Sequence, residues 1–156
     1  MADTNNDSAL TTTYVAVYGT LMSGVTDQIT DPRLRAEAEQ ARRLLGRCVG
    51  PCDIPGKLYD LGQYPGLMID SDAAVKGELY ELPFGEFNSE GHARFREAIA
   101  ALDAYEGYDP DNLNESEYVR RCIRLRRPAD TSAWVYVLNT PGAADALTPL
   151  PSGDWR

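Results

Sequence analysis

The chain has 156 residues and a formal net charge of −9, from 24 acidic against 15 basic side chains. That length fits one domain able to bury a core without disulfide or metal staples, and the acidic balance argues against nucleic acid or an anionic membrane surface as partner, since both are polyanions. A single histidine, His92, excludes HExxH chemistry and any site built on two His ligands.

Residues 1–13 are polar, lack the basic and apolar regions of a signal peptide, and read as a disordered N-terminal tail. Residues 14–156 read as a single domain, and no apolar run reaches the roughly 20 residues that span a bilayer. A cytoplasmic protein is expected. Tyr14-Val15-Ala16-Val17-Tyr18 is a buried-strand pattern closed by Gly19. Asp31 before Pro32 is an N-cap with proline at the first helical position. Leu34, Ala38, Ala41 and Leu45 follow at helical spacing and Gly46 suits a left-handed stop, which predicts a helix over 32–45.

Short strands are expected at Arg47–Ile54, Gly56–Leu61, Leu67–Asp70 and Val75–Leu82. A second helix is expected from about Glu90 to Tyr105, with Phe95, Ala98, Ile99 and Leu102 on its apolar stripe. After a polar loop over 109–117, two strands follow at Tyr118–Leu125 and Ala133–Leu138, and the remainder reads as coil. Two helices among six or seven short strands make an α+β domain with a largely antiparallel, closed or nearly closed sheet.

Cys48, Cys52 and Cys122 read as small apolar residues rather than as a metal centre, because a fourth ligand would have to be His92. His92 itself reads as a surface residue. The arginines at 120, 121, 124, 126 and 127 read as a solvated strand face, and Tyr59, Tyr64, Trp134 and Tyr136 as core side chains that could also line a pocket.

Glu106 is the most informative residue. It continues the series Phe95, Ile99, Leu102, so a helix reaching that far turns its side chain toward the core, just before Gly107. Burial and the negative end of the helix dipole would both raise its pKa toward the range a general base needs. The alternative is a helix ending at Leu102 with Glu106 a solvated loop acid. The other 23 acids read as caps, solvated loops and solubility. Tyr18-Gly19-Thr20-Leu21, at the end of the first strand, is either a plain turn or a nest of backbone N–H groups able to hold a carboxylate or an oxyanion.

Taken in order, several segments resemble the γ-glutamylcyclotransferase superfamily, including its AIG2-like branch. They are Val17–Leu21, Gly56–Gly62 with Tyr64–Leu67, Val75–Tyr80, Leu102–Gly107, Glu117–Arg120, Ala133–Tyr136 and Ser152–Trp155. One departure is visible: Gly24 is followed by Val25-Thr26-Asp27, where members often carry an asparagine. The resemblance implies a small mixed, largely antiparallel β-barrel with flanking helices. It also implies an enzyme that cyclises a γ-glutamyl amide to 5-oxoproline and releases an amine: an amino acid, a lysine side chain or a natural-product amine such as an aminoglycoside. It assigns proton transfer to Glu106 and substrate binding to Tyr18, Gly19, Thr20 and Leu21, with Tyr118 a candidate hydrogen-bond donor in the pocket. The implied partner is a small-molecule γ-glutamyl substrate, and neither cofactor nor metal is required. The alternatives are a related lyase acting on glutathione and a non-catalytic small-molecule-binding module on the same fold.

Overall fold

A computed structural model describes residues 12–62, 64–82, 89–139 and 147–155, with side chains in the second helix from Ala93 onward. Its strands are β1 (Tyr14–Val17), β2 (Arg47–Pro55), β3 (Lys57–Asp60), β4 (Pro65–Met68), β5 (Ala74–Glu81), β6 (Tyr118–Arg124), β7 (Ser132–Leu138) and β8 (Thr148–Leu150). The helices are α1 (Pro32–Arg42) and α2 (Ser89–Glu106).

β1 is apolar at every position because both its edges and both its faces are covered. It pairs antiparallel with β5, Val15 opposite Tyr80, and parallel with β7, Val15 opposite Trp134. Val15, Ala16 and Val17 are buried in succession. The larger sheet has the order β2-β5-β1-β7-β6, and a smaller antiparallel sheet has the order β4-β3-β8. The expected α+β class with mixed, mostly antiparallel strands is therefore present. The sheet is barrel-like but not closed. Among the described residues its edges meet at Asp53, whose N–H donates to the Arg127 carbonyl (3.0 Å) and whose carbonyl accepts Arg126 N–H (2.9 Å).

α1 begins as expected: the Asp31 carboxylate accepts the N–H groups of Arg33 (2.9 Å) and Leu34 (3.3 Å), with Pro32 following. It ends earlier than Leu45. The N–H groups of Arg43, Leu44 and Leu45 bond three residues back rather than four, so the last turn tightens and leads into β2. Gly46 is not in the left-handed region. Thr12 and Thr13 are not tail: Trp134 Nε1 donates to the Thr12 carbonyl (3.0 Å) and Leu82 N–H to the Thr13 carbonyl (2.9 Å). The coil expected near the C-terminus contains β8, held on β3 with Leu150 opposite Leu58. The Lys76 N–H then donates to the Gly153 carbonyl (2.7 Å), binding the terminal segment to β5.

α2 buries Phe95, Ala98, Ile99 and Leu102, the stripe expected from spacing. It also buries Asp103, which is 8% exposed, against Arg120 of β6, which is 1% exposed. Arg120 Nε and Nη2 donate to the two carboxylate oxygens at 2.8 and 3.2 Å. The Tyr136 hydroxyl donates to Asp103 Oδ1 (2.7 Å). The guanidinium also lies over the rings of Trp134 (4.6 Å) and Tyr108 (5.6 Å). Arg120 is thus not part of a solvated face; only Arg121, Arg124, Arg126 and Arg127 are exposed. Asp103 likewise leaves the set of solvated acids. Both exceptions have one cause: β6 is covered on both faces at its first three residues.

Removing one partner of a buried pair strands the other charge in a low-dielectric site. Arg120→Met is expected to cost about 3–5 kcal/mol, read by urea denaturation. Adding Asp103→Leu is expected to restore a large part of it.

Candidate functional site

The end of β1, the start of α1, the start of β4, the end of α2 and the start of β6 enclose a cavity of about 610 Å³. Tyr18, Gly19, Thr20, Leu21, Glu106 and Tyr118 all line it, so the structure brings every candidate residue to one place. Among the described residues, no group of three or more His, Cys, Asp or Glu side chains is placed to hold a metal ion. Cys48, Cys52 and Cys122 are free thiols on three separate strand positions; Cys52 alone fits the buried, apolar reading, since Cys48 is exposed and Cys122 half-buried, and burial, with Asp53 and Glu78, pushes Cys52 up to about 12. The expectation for His92 falls outside the described side chains.

Glu106 is the last residue of α2, so the helix does reach it. Gly107 follows at φ 71°, the left-handed conformation that ends a helix and that glycine adopts without a Cβ penalty. The Gly107 carbonyl accepts Glu117 N–H (3.1 Å), which fixes the start of β6 beside the helix end. Glu106 is partly exposed as a residue, through the cavity it lines, but its carboxyl is poorly solvated. Burial, then the charges of Glu117 and Asp103, raise its pKa from 4.5 to about 8.

The loop after β1 is held from outside by its carbonyls. The Gly19 carbonyl accepts Met22 N–H (3.0 Å), the Thr20 carbonyl accepts the Thr26 hydroxyl (2.6 Å), and the Leu21 carbonyl accepts the Arg42 guanidinium. In a trans peptide the N–H points opposite to the preceding carbonyl, so these bonds turn the Thr20 and Leu21 N–H groups the other way. Ser23 N–H and hydroxyl both donate to Glu78 Oε1 (2.7 and 3.1 Å), which pins the next turn to β5. Gly19 is needed for a steric reason: a Cβ there would lie 2.7 Å from Pro65 Cγ.

The side chains of the loop differ in what they do. The Tyr18 hydroxyl is buried and donates to the Tyr136 carbonyl (2.6 Å), and desolvation with the nearby Glu106 charge pushes its pKa up. The Thr20 hydroxyl bonds the Tyr105 hydroxyl (3.1 Å), linking loop to helix. Leu21 is core, so its contribution to the cavity wall is mainly backbone. The Tyr118 hydroxyl donates to the Pro65 carbonyl at 2.7 Å. Its proton is therefore already used, and it offers the cavity a ring and an acceptor oxygen rather than the donor expected.

Tyr64 and Tyr136 line the cavity, whereas Trp134 and Tyr59 are not among its lining residues. Spacing did not point to Tyr105, Glu117 or Trp155 as wall residues, yet all three line the cavity. Tyr105 is adjacent to Glu106 and Glu117 to Tyr118, and all three fall within segments that carry the family resemblance. Trp155 reaches the cavity only because the terminal segment is tied to β5.

The sequence profile described as "Gamma-glutamyl cyclotransferase, AIG2-like" matches residues 15–156. Among curated proteins none matches the chain. Solved structures share the fold at low identity. A uropathogenic E. coli-specific protein is 19% identical, with 92% of each chain covered and a TM-score of 0.56. YkqA from Bacillus subtilis is 19% identical over 92% of this chain and 39% of its own, at TM-score 0.53. The allophanate hydrolase of Kluyveromyces lactis is 15% identical over 96% of this chain and 21% of its own, at TM-score 0.56. These likenesses establish the fold alone. The profile match covers the β1 loop, the end of α2 and the first residues of β6, and by it the chain belongs to the gamma-glutamyl cyclotransferase, AIG2-like family.

Proposed function

We propose that the protein is a γ-glutamylcyclotransferase that converts a γ-glutamyl amide to 5-oxoproline and a free amine by intramolecular aminolysis. The observation that carries this reading is Glu106: a poorly solvated carboxyl at a helix end, raised to about 8, facing the same cavity as the Tyr18–Leu21 loop.

The chemistry follows from matching acidities. A peptide α-ammonium titrates near ~8, the α-carboxylate of a γ-glutamyl group raises its own ammonium above that, and Glu106 is raised to about 8, so the two acidities lie close. The pair shares one proton, either as carboxylate with ammonium or as carboxylic acid with free amine, and transfer between these forms costs little. In the second form the α-amine attacks the γ-carbonyl. The Glu106 acid then protonates the leaving nitrogen as the amide C–N bond breaks, and its carboxylate takes the proton shed by the new ring nitrogen. One glutamate therefore serves both halves of the reaction. Thr20 and Leu21 N–H groups suit the developing oxyanion or the substrate α-carboxylate. The cavity walls hold amine and carbonyl in a cyclising conformer.

Incubation with a panel of γ-glutamyl amides is expected to release 5-oxoproline, and Glu106→Gln is expected to lower kcat by roughly 10²–10⁴-fold. Full activity in that variant would refute the mechanism. For the wild type, kcat/KM is expected to be bell-shaped about pH 8, because either a second proton or its complete loss leaves an unproductive pair.

Stability provides an independent check. A carboxyl whose folded pKa is raised favours the fold while protonated, and that contribution is lost as pH rises from about 4.5 through about 8. The Gln variant cannot ionise there. Its melting temperature is expected to exceed that of the wild type at pH 8.5 and to converge with it toward pH 4.5.

A further inference from the structure

Ring closure on a γ-glutamyl amide develops negative charge on the γ-carbonyl oxygen. Among the described residues, the cavity lining includes no Lys, Arg or His, so backbone N–H and hydroxyl groups have to meet that charge. Two backbone donors are open to it. Among the described residues, neither the Thr20 N–H nor the Leu21 N–H has an acceptor. The next two N–H groups are taken, Met22 by the Gly19 carbonyl (3.0 Å) and Ser23 by Glu78 Oε1 (2.7 Å). Each open N–H belongs to a peptide whose carbonyl is held on the far side. For Thr20 N–H the holder is backbone, the Met22 N–H on the Gly19 carbonyl. For Leu21 N–H it is a side chain: the Thr26 hydroxyl donates to the Thr20 carbonyl at 2.6 Å. Arg42 holds the following carbonyl, that of Leu21, but the N–H of that peptide is Met22, already used inside the loop.

Thr26 lies in the segment Val25-Thr26-Asp27, where the sequence departs from its family. It is 3% exposed, on the short helical turn Thr26–Gln28 that follows the loop. A hydroxyl has one proton, and the Thr20 carbonyl takes it. The bond acts on the Thr20–Leu21 peptide in two ways. It fixes the peptide plane, so that Leu21 N–H keeps its bearing on the cavity. It also draws electron density toward the carbonyl oxygen, which makes the N–H of the same peptide a better donor. This peptide stands beside the acid, because the Thr20 hydroxyl bonds the hydroxyl of Tyr105 (3.1 Å), the residue before Glu106. Glu106 exchanges protons with both nitrogens of the tetrahedral intermediate, so those two substituents face it and the oxygen is turned toward the loop. We infer that Thr26 is a positioning residue for cyclisation, aiming the Leu21 N–H at the oxyanion. The carbonyl electron pair moves onto that oxygen as the α-amine bonds to the γ-carbon. It returns as the amide C–N bond breaks and Glu106 protonates the leaving nitrogen. The inference rests on the cyclotransferase reading and deepens it.

The test compares the wild type with Thr26→Ser, Thr26→Ala and Thr26→Val. The Ser and Ala variants differ in the hydroxyl alone, and Val keeps the shape of threonine without it. The substrates are the γ-glutamyl amides of n-butylamine, of alanine and of the lysine side chain, read by 5-oxoproline release. With whichever the wild type turns over fastest, Thr26→Ala and Thr26→Val are expected to lower kcat about tenfold or more with little change in KM. That loss falls short of the roughly 10²–10³-fold cost of deleting an oxyanion donor, because the N–H remains. Thr26→Ser is expected to recover most of the rate. The pH profile is expected to stay centred about pH 8 throughout, since Glu106 is untouched. In protein carrying isotope-labelled leucine, the Leu21 amide proton resonance is expected to move upfield in Thr26→Ala and to stay in place in Thr26→Ser. Should Thr26→Val fail to fold, the Ser and Ala pair carries the comparison. Equal losses in Ser and Ala, a displaced pH profile or an unmoved Leu21 resonance would mark a merely structural role and overturn the inference. A raised KM at constant kcat overturns it as well, because it assigns the N–H to a group bound equally before and during reaction. Full kcat in Ala and Val overturns it and leaves the cyclotransferase reading standing. Release of 5-oxoproline from none of the substrates by the wild type overturns both.

Discussion

The buried pair of Asp103 and Arg120 is the constraint on which the site depends. Asp103 stands one helical turn before Glu106, and Arg120 lies two residues after Tyr118. Their two-point hydrogen bonding therefore fixes the end of α2 against the start of β6. The planar guanidinium is wedged between Trp134 and Tyr108, so neither partner can swing out to water. Such a pair is a poor source of net stability, because desolvation consumes much of the attraction. Its value is geometric: only one arrangement satisfies both charges, and that arrangement sets the bearing of α2 on the sheet. Tyr136 carries it to the loop, since its hydroxyl bonds Asp103 while its carbonyl accepts the Tyr18 hydroxyl.

Glu106 benefits from this in a second way. Three acids lie close together near the helix end, and a helix C-terminus is a poor place for negative charge. Arg120 compensates Asp103 but not Glu106, and Glu117 adds its charge from just before β6. The outcome is one acid paired with Arg120 and a neighbour pushed up to about 8.

Much of this was legible in local patterns. The stripe Phe95, Ile99, Leu102 put Glu106 on the inner face of α2, and Asp31-Pro32 marked the start of α1. Both signals are short-range, because helical periodicity and capping need only a few consecutive residues. The end of α1 was misplaced because Leu45 continues the apolar pattern after the hydrogen bonding has tightened. β8 went unseen because Thr148-Pro149-Leu150 has no strand character of its own. It is a strand by virtue of pairing with β3, almost ninety residues earlier. Arg120 was read as solvated because a strand with alternating charge looks half-exposed, and whether its second face is covered depends on what else packs there.

The sequence by itself determined the chemistry available: one glutamate on an apolar stripe, a glycine loop after a central strand, a single histidine and a surplus of acids. Residue types and short spacings carry that information, and the match to the family spans these residues. The tertiary structure decided what those groups meet. It brought Glu106 and the Tyr18–Leu21 loop to one cavity, turned the Tyr118 hydroxyl to Pro65, buried Arg120 on Asp103, and set Glu117 against the Tyr64 hydroxyl on the same cavity wall. Desolvation and charge–charge coupling depend on distances between segments far apart in the chain. Such distances exist only once the sheet has formed and the helices have docked on it.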